Sequence, residues 1–298
     1  MRAAGHDARP GSRELAQASA EFALTWEDFS AIRDTLHADA GIVLDESKVP
    51  LVYSRLAKRL RSLGLESFRQ YCSLILSSDG VDERQKMLAA LTTNVTRFFR
   101  EPHHFDHLKT KVLPRLLSAA EKGTPVRIWS AACSTGQEPY SIALTILSVL
   151  PRAPQLDIRI LATDIDPNVV ATARAGRYPD DLVGDIPSDL RSRWMKKASG
   201  AQGGWDMGAE AQELIRFREL NLIGNWPMKK RFDVIFCRNV VIYFNEDTQA
   251  RVWSRFAENL ADRGTLYIGH SERVNGPAAG RFATDGLTTY SLTGSSRA

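Results

Sequence analysis

The sequence predicts an α/β fold with a mostly parallel sheet, preceded by an all-α helical domain. From about residue 125, short apolar runs alternate with helical segments, which is the order expected of βαβ units in a parallel sheet. Before residue 90, apolar residues instead recur at helical spacing, as Trp26, Phe29 and Ile32 do. This change of pattern divides the chain of 298 residues into two domains.

The N-terminal part predicts a small helical bundle, to which we assign residues 21–90. Residues 1–20 carry scattered charges and no apolar core, so we expect a disordered tail rather than a secretory signal. Pro50 opens a second helix that Gly64 closes, and this helix has one apolar and one basic face. Apolar positions at helical spacing predict two further helices before residue 91.

The second part predicts strands and helices in alternation. The apolar runs predict strands at Val126–Ser130, Ile158–Thr163, Phe232–Cys237 and Thr265–Gly269. The helices between them are predicted at Pro139–Leu150, Pro167–Ala175 and Glu246–Leu260. The closing segments GTLYIG and TTYSL predict an antiparallel edge. A Gly-rich segment and the following ELIRFREL interrupt the alternation, so we expect a small β-subdomain inserted at about 180–220.

The turn after the first of these strands carries the clearest functional signal. In WSAACSTGQEPY, from Trp129 to Tyr140, a strand turns through small residues into a helix that is expected to open at Pro139. This is the nucleotide-binding edge of an α/β sheet, but the phosphate-binding pattern GxGxxG is absent. Glu138, at the positive end of the helix, suits a cationic or hydroxyl-bearing ligand. S-adenosylmethionine (SAM), a sulfonium with a ribose and no phosphate, fits this description.

Composition limits the possible functions further. The net charge of +4 and the pI of about 9.0 are compatible with nucleic acid and equally with an acidic protein partner. The apolar runs are too short to cross a membrane. The three cysteines, Cys72, Cys133 and Cys237, lie far apart and lack metal-ligand spacing, which favours a reducing compartment and no metal site.

Several segments together resemble the chemotaxis receptor methyltransferases of the CheR type. They are TTNVTRFFREPHHF (92–105), WSAACSTGQEPYSIAL (129–144), LATDID (161–166), NL (221–222), FDVIFCRNVVIYF (232–244) and IGHSE (268–272). The resemblance implies a Rossmann-like, SAM-dependent methyltransferase fold in a cytoplasmic enzyme that esterifies glutamate side chains of chemoreceptors. It assigns residues 91–105 to a linker that contributes to the SAM site, and residues 106–298 to the SAM-binding domain.

The resemblance also implies a cosubstrate and a partner. The cosubstrate is SAM, with no metal, and the partner is the cytoplasmic helical domain of methyl-accepting receptors, with no nucleic acid and no membrane insertion. Two other functions stay open. A nucleic-acid methyltransferase would commonly carry an Asp/Asn-Pro-Pro-aromatic motif, which the strand ending FCRN lacks, and its basic helix would be interleaved with aromatic residues. A module that binds SAM as a signal would differ only by lacking turnover.

Polar residues at strand ends are the first candidates for SAM contacts. Asp164 follows the strand ILAT, where a carboxylate can accept both ribose hydroxyls, whereas Asp166 fits helix capping better. Glu138 either caps its helix or, as the resemblance implies, lies near the methionyl ammonium. Arg238 and Asn239 follow the strand VIFC, where an unpaired charge is costly. The resemblance places this pair beside SAM, and the alternative for Arg238 is an interdomain salt bridge.

The remaining SAM-site candidates come from the resemblance. Asn221 and Leu222 match a pair near the adenine, although Asn221 also suits a surface turn. Asn94, Thr96 and Arg100 match positions that reach SAM.

Arg100 and Tyr243 are the candidate catalytic residues. The Arg100 guanidinium can hold the substrate carboxylate by two hydrogen bonds and aim one oxygen at the methyl group. The alternative is a surface pair with Glu101 or another acid. Tyr243 can close the site with its hydroxyl near the sulfonium. Because glutamate is already ionised at neutral pH, we expect no general base and assign His270 a structural hydrogen bond.

The basic face of the second helix is a candidate receptor-docking surface. Arg55 and Lys58 lie opposite the apolar stripe, and Arg59 borders it, so Arg59 is the best candidate to face inward. The alternative is a solvated face without a partner. In the family, the β-subdomain of some members binds a receptor tether peptide. The longer loop Ser199–Gly208 of this chain leaves that question open.

Overall fold

The computed structural model describes residues 21–199 and 203–293. The chain divides into two compact units, with the boundary between Thr93 and Asn94. The expected disordered tail, residues 1–20, lies outside the described residues, as do residues 200–202 of the Gly-rich loop. Within the described ranges, no helix combines the length and apolar character needed to span a membrane.

The N-terminal unit is a helical bundle. Its helices are α1 (Trp26–Ala40), α2 (Val49–Leu63), α3 (Phe68–Leu76) and α4 (Val81–Leu91). The Thr25 hydroxyl accepts the N–H of Asp28 and begins α1 with a capping box. Gly64 ends α2 with a φ of 67°, a left-handed conformation that glycine adopts without strain. The core of this unit consists of apolar helix faces, including Phe29, Ile32, Leu56, Leu60 and Phe68.

The second unit is built on a seven-stranded sheet. Its strands, in spatial order, are β6 (Ile215–Glu219), β2 (Ile158–Asp164), β1 (Val126–Ala131), β7 (Phe232–Cys237), β8 (Leu260–Ile268), β10 (Thr289–Leu292) and β9 (Phe282–Gly286). The pairs from β6 to β8 are parallel, and β10 is antiparallel to both of its neighbours. The predicted mostly parallel sheet with an antiparallel edge is confirmed.

Two helices of this unit precede its first strand, and the others lie between strands. They are α5 (Pro102–His107), α6 (Leu113–Glu121), α7 (Gln137–Val149), α8 (Pro167–Ala175), α9 (Ser188–Trp194), α10 (Ala209–Leu214) and α11 (Glu246–Asn259). The start of α7 differs from the prediction, because the helix begins at Gln137 and takes both Glu138 and Pro139 into its first turn. The end of α11 also differs, since Leu260 is already extended and begins β8.

A separate three-stranded antiparallel sheet, in the order β3 (Arg177–Tyr178), β5 (Trp205–Met207) and β4 (Met195–Lys197), forms the inserted β-subdomain. The segment ELIRFREL, which the sequence analysis included in the insertion, instead forms β6 at the edge of the main sheet. The prediction was wrong for this segment because an edge strand has alternating buried and exposed residues, a pattern that also suits a small exposed sheet. Ile215 and Phe217 are buried, whereas Arg216 and Arg218 are exposed.

Candidate active site

The candidate site residues of the second unit follow neighbouring parallel strands. Ala131 at the end of β1 pairs with Thr163 of β2 on one side and with Cys237 of β7 on the other. The residues after these strands therefore share one edge of the sheet, where α/β folds bind ligands. Asp164 and Arg238 are both placed at this edge by the register.

The turn between β1 and α7 is strained and made of small residues. Ala132 and Ser134 adopt positive φ angles of 66° and 50°, and Gly136 has a φ of 96°. A Cβ atom at Gly136 would lie 2.8 Å from the Tyr178 hydroxyl, so only glycine fits there. Left-handed conformations of other residues cost about 1–2 kcal/mol each and concentrate at ligand-binding turns.

Asp164 ties this turn to the end of β2. Its buried carboxylate accepts the N–H of Ser134 at 2.8 Å through Oδ2 and the N–H of Asp166 at 3.1 Å through Oδ1. Burial, opposed by these backbone hydrogen bonds, raises the pKa of Asp164 above its usual value. Each carboxylate oxygen keeps a lone pair for another donor, which is what the predicted ribose contact requires.

Asp166 caps α8, as the sequence predicted. Its Oδ1 accepts the N–H of Asn168 at 2.9 Å, at the start of the helix. Its Oδ2 accepts the Asn94 side-chain amide at 3.1 Å, and the Ser134 hydroxyl donates to the Asn94 carbonyl at 2.8 Å. Asn94 is therefore held by Ser134 of the β1–α7 turn and by Asp166 at the start of α8.

A buried ion-pair network surrounds Arg238. Its Nη1 lies 3.0 Å from Oε2 of Glu138, whose other oxygen accepts the Ser130 hydroxyl at 2.6 Å. Its Nη2 lies 3.3 Å from Oε2 of Glu101 and donates to the carbonyl of Arg100. The buried charge is thus paired inside the second unit. The alternative that Glu138 caps its helix is wrong, because its carboxylate makes these bonds instead.

Arg100 lies at the apex of a strained turn. Its neighbours Phe99 and Glu101 have positive φ angles of 50° and 58°. The Arg100 guanidinium donates to the Val95 carbonyl at 3.1 Å. Within the described residues no carboxylate pairs with it, so the alternative of a surface pair with Glu101 or another acid is wrong. Glu101 pairs with Arg238 and His270 instead.

Glu101 is also the hydrogen-bond partner of His270, and its neighbours determine the pKa of its carboxylate. The Nδ1 atom of His270 lies 3.0 Å from Oε1 of Glu101, so the expected structural hydrogen bond of His270 is present. Burial alone would raise the pKa of Glu101. The Arg238 charge and the His270 hydrogen bonds outweigh burial and lower this pKa to about 2.

One cluster could offer ligands to a metal ion. Glu101, His103 and His104 bring three potential ligand atoms within 4.8 Å of one another. However, the Glu101 carboxylate lies 3.3 Å from the Arg238 guanidinium, whose permanent charge opposes a second cation. Burial, followed by the Arg238 charge, lowers the pKa of His104 to about 3. The expected absence of a metal stays a prediction.

The other predicted site residues follow strands β6 and β7 or precede Arg100 in the chain. Asn221 and Leu222 follow β6, the neighbour of β2, and Oδ1 of Asn221 accepts the N–H of Ile223 at 3.0 Å while Leu222 is buried. Asn239, the second residue after β7, has a positive φ of 59°. Tyr243 ends the short 3-10 turn Val241–Tyr243, half-buried. Thr96 is half-buried in the segment before Arg100.

The predicted docking residues of α2 differ from one another. Arg55 donates to the carbonyls of Ala90 and Thr92 at 3.1 and 2.6 Å, so it holds the end of α4 instead of lying free opposite the apolar stripe. Arg59 faces inward and binds the Glu83 carboxylate with two hydrogen bonds of 2.9 and 2.7 Å. Lys58 is exposed. A docking role of all three stays a prediction.

Two carboxylates of the site were missed from the sequence. Glu101 precedes a helix-opening proline and Glu272 follows a strand-ending Gly-His-Ser, both of which resemble ordinary turn positions. A glutamate three residues after a glycine at the end of an apolar strand is a signal that could have pointed to Glu272. The partners of both residues come from distant segments and are visible only in three dimensions.

Comparison with known proteins shows the family to which this chain belongs. The model of the CheR methyltransferase SAM-binding domain matches residues 94–290, and that of the CheR all-alpha domain matches residues 27–92. The chain belongs to the CheR methyltransferase family. The resemblance, the methyltransferase fold and the SAM cosubstrate that the sequence predicted are therefore confirmed.

Relatives of this CheR-family chain match it over nearly their full length. A probable chemotaxis protein methyltransferase of Rhizobium etli is 53% identical over 260 residues, which cover 87% of this chain and 97% of that protein. Chemotaxis protein methyltransferase 2 of Pseudomonas aeruginosa is 42% identical, with 85% and 88% covered. The chemotaxis protein methyltransferase of Escherichia coli (strain K12) is 39% identical, with 93% and 95% covered.

The charges at the sheet edge fit SAM. The carboxylates of Glu138 and Asp164 both act on the buried Cys133 thiol, whose pKa is raised mainly by burial and then by these two charges. Together with Glu101 they outnumber the one buried guanidinium of Arg238. The CheR-family site therefore carries an excess of negative charge, which suits a ligand with a sulfonium and an ammonium group.

Proposed function

We propose that this chain transfers the methyl group of SAM to glutamate side chains of chemoreceptors and forms methyl esters. The observation that carries the proposal is Arg100, a guanidinium without a carboxylate partner among the described residues, held in a strained turn beside the SAM-binding edge. Arginine is suited to hold a carboxylate with two parallel hydrogen bonds. The names of the relatives as chemotaxis protein methyltransferases support chemoreceptors as substrates.

The residues of the chain would act by orientation and charge balance. When bound, SAM supplies a methyl group on a positive sulfur and leaves as S-adenosylhomocysteine. Arg100 aims one oxygen of the substrate glutamate, which is ionised at neutral pH and needs no general base. Glu101 and Glu138 neutralise Arg238, so Arg238 does not compete for the substrate carboxylate. Tyr243 closes the site.

We assign the SAM contacts on the same basis. Asp164 accepts the ribose hydroxyls, because both of its oxygens keep a lone pair. Glu138 lies near the methionyl ammonium, and Asn221 and Leu222 lie near the adenine. The remaining contacts are Asn94, Thr96, Arg100, Arg238 and Asn239.

The substrate is the cytoplasmic helical domain of the receptors, and the chain acts in the cytoplasm, in chemotaxis or a related signalling array. We propose that the basic face of α2 docks this acidic helical region. Exposed Lys58 supports this docking most directly, since Arg55 and Arg59 already have partners within their unit.

A labelling experiment tests the proposal. The purified protein is incubated with methyl-labelled SAM and receptor-containing membranes from the same cell, with and without nuclease treatment. We expect label in a receptor-sized band, and mild base should release it as methanol because it cleaves an ester. As a control variant, Arg33→Ala removes a half-buried arginine of α1 that pairs with its neighbour Asp34, and it should label the receptor as the wild type does.

The outcomes separate the alternatives. Nuclease-sensitive label would identify a nucleic-acid methyltransferase and contradict the proposal. Label that resists base would also contradict it, because the product would not be an ester. SAM binding without any transfer to membranes or nucleic acid would favour a module that binds SAM as a signal.

A further inference from the structure

The turn that follows β8 contacts the candidate site from the next strand of the sheet. Cys237 at the end of β7 pairs with Ile268 at the end of β8 in a parallel register. The segments after these strands, 238–241 and 269–272, therefore lie side by side. The second segment is a tight turn, because the N–H of Glu272 donates to the carbonyl of Gly269 at 2.9 Å.

The Glu272 carboxylate is buried and accepts four backbone N–H groups. Oε1 accepts those of Val240 and Val241 at 2.9 and 3.0 Å, and Oε2 accepts those of Asn239 and Gly269 at 3.0 and 2.6 Å. Its residue is 3% exposed, and no lysine or arginine of the described ranges pairs with it. This carboxylate therefore binds the main chain of the site rather than a side-chain cation.

Gly269 allows the two segments to approach each other this closely. A Cβ atom at Gly269 would lie 2.5 Å from Nδ2 of Asn239, 2.8 Å from its backbone nitrogen and 2.9 Å from Oε2 of Glu272. Real Cβ atoms do not come so near, so any side chain at residue 269 would displace Asn239. Gly269, which has no side chain, and the buried Glu272 carboxylate belong to the same turn, and both fix the position of Asn239.

The backbone held in this way carries two candidate site residues. Asn239 has a positive φ of 59°, a conformation that needs support from its surroundings. The N–H groups of Asn239, Val240 and Val241 converge on one side, which produces the tight bend that leads into the turn ending at Tyr243. Without an acceptor, these buried donors would be unsatisfied and the bend would open.

We propose that Glu272 is a positioning residue, which together with Gly269 sets the backbone of residues 239–241 and so places Asn239 for SAM and Tyr243 for the reacting glutamate. The assignment of these two side chains rests on the proposed function. A carboxylate is needed because four donors require acceptors on both oxygens. The isosteric amide of glutamine would turn an NH₂ group toward two of the N–H donors.

A nuclear magnetic resonance experiment tests the four backbone hydrogen bonds to Glu272 without any substrate. Burial raises the pKa of Glu272 above its usual 4.5, against the lowering effect of its four backbone hydrogen bonds. In the wild type, the amide protons of Asn239, Val240, Val241 and Gly269 should shift along one shared titration curve. Glu272→Gln should abolish this shared curve. Four independent curves in the wild type would contradict the binding of all four N–H groups by this one carboxylate.

Binding and turnover test the positioning role. Glu272→Gln should weaken SAM affinity about tenfold and lower kcat about 100-fold per folded molecule, since misplacement by an ångström costs on that order. Glu272→Asp, which keeps the charge, should recover part of both losses. Glu258→Gln, on the exposed face of α11, is the matched control and should behave as wild type.

Several outcomes would overturn the proposal. A folded Glu272→Gln protein with wild-type SAM affinity and kcat would do so, and so would a lower Tm with unchanged kinetics per folded molecule. If Glu272→Gln does not fold, Gly269→Ala is the second variant, because it displaces Asn239 without removing the charge of Glu272. Wild-type SAM affinity in that variant would also contradict the proposal. The amide titration and SAM binding need no receptor, so failure of the proposed function would be seen separately.

Discussion

At the scale of single residues, several positive φ angles lie beside the candidate site residues of this protein. Phe99 and Glu101 flank Arg100 with positive φ angles, and Asn239 follows β7 in the same conformation. Specific bonds hold these segments. The Phe99 N–H donates to the Ser141 hydroxyl at 2.9 Å, the Arg238 guanidinium donates to the Arg100 carbonyl, and the Asn239 N–H donates to the Glu272 carboxylate at 3.0 Å. These strained conformations cost free energy, and they persist because the surrounding structure holds them.

Arg100→Ala should therefore separate chemistry from SAM binding. We expect kcat to fall about 100-fold, because the substrate carboxylate loses its orientation, while SAM affinity falls less than tenfold. Arg100→Lys should recover little, since an ammonium cannot form two parallel hydrogen bonds. Single-turnover methylation and calorimetric SAM titration measure the two effects. A parallel collapse of both quantities in Arg100→Ala would refute the orienting role.

The sequence indicated which buried charges need a partner, but it did not identify the partners. The cost of an unpaired charge after a buried strand indicated that Arg238 needs a partner. It could not identify Glu138, which lies 100 residues earlier in the chain, because nothing local records which segments the sheet brings together. Asp166 was different, since a helix cap is a local feature that the following proline marks.

At the scale of elements, the apolar runs located the central strands because strands buried on both faces are continuously apolar. Strands β1, β2 and β7 end within a residue of their predicted ends. The edge strand β6 was assigned to the insertion because its alternating pattern also suits a small exposed sheet. Helix α2 shows a similar limit, since its pattern marked Arg59 as inward-facing but could not supply Glu83 as its partner.

This pairing yields a prediction for α2 and α4. Arg59→Ala and Glu83→Ala should each lower the free energy of unfolding of the N-terminal unit by about 1–3 kcal/mol, because each leaves a partly buried charge unpaired. The double variant should lose less than the sum of the two. Urea unfolding followed by circular dichroism measures these changes, with exposed Lys58→Ala as the matched control.

The same variants distinguish packing from docking. If Arg59 acts only within the bundle, Arg59→Ala and Glu83→Ala should leave the receptor KM of the folded protein unchanged. A rise in receptor KM for Arg59→Ala but not for Glu83→Ala would instead support a direct contact of Arg59 with the receptor. Additive losses of stability in the double variant would contradict the ion pair.

At the scale of the whole molecule, the buried titratable groups of the second unit link its stability to pH. His104 is fully buried, with Nε2 lying 2.9 Å from the Thr288 hydroxyl. Burial and the Arg238 charge lower its pKa from 6.5 to about 3, so the folded state holds this imidazole neutral. The pKa of Glu101 is lowered from 4.5 to about 2. Both groups make the unfolded state bind more protons in acid.

The sign of the effect follows from these shifts. Above pH 6.5, His104 is neutral in the folded and the unfolded state and does not change the free energy of unfolding. Below pH 6.5, His104 binds a proton in the unfolded state but stays neutral in the folded state. Stability from this group therefore falls as the pH drops from 6.5. Glu101 adds its own loss only below pH 4.5. The buried carboxylates with raised pKa, Glu138, Asp164 and Glu272, act in the opposite direction.

Comparing the wild type with His104→Gln isolates the histidine from these opposing groups. Between pH 6.5 and 4.5, the difference in unfolding free energy between the two proteins should change by about 1.4 kcal/mol per pH unit, the value for one proton. Urea unfolding followed by tryptophan fluorescence measures it, since Trp129 and Trp253 are buried in the second unit. A pH-independent difference would mean that His104 is protonated in the fold and pairs with Glu101. In that case the positive charge beside Arg238 would be doubled, and the balance that suits this edge to a cationic cosubstrate would have to come from the other carboxylates.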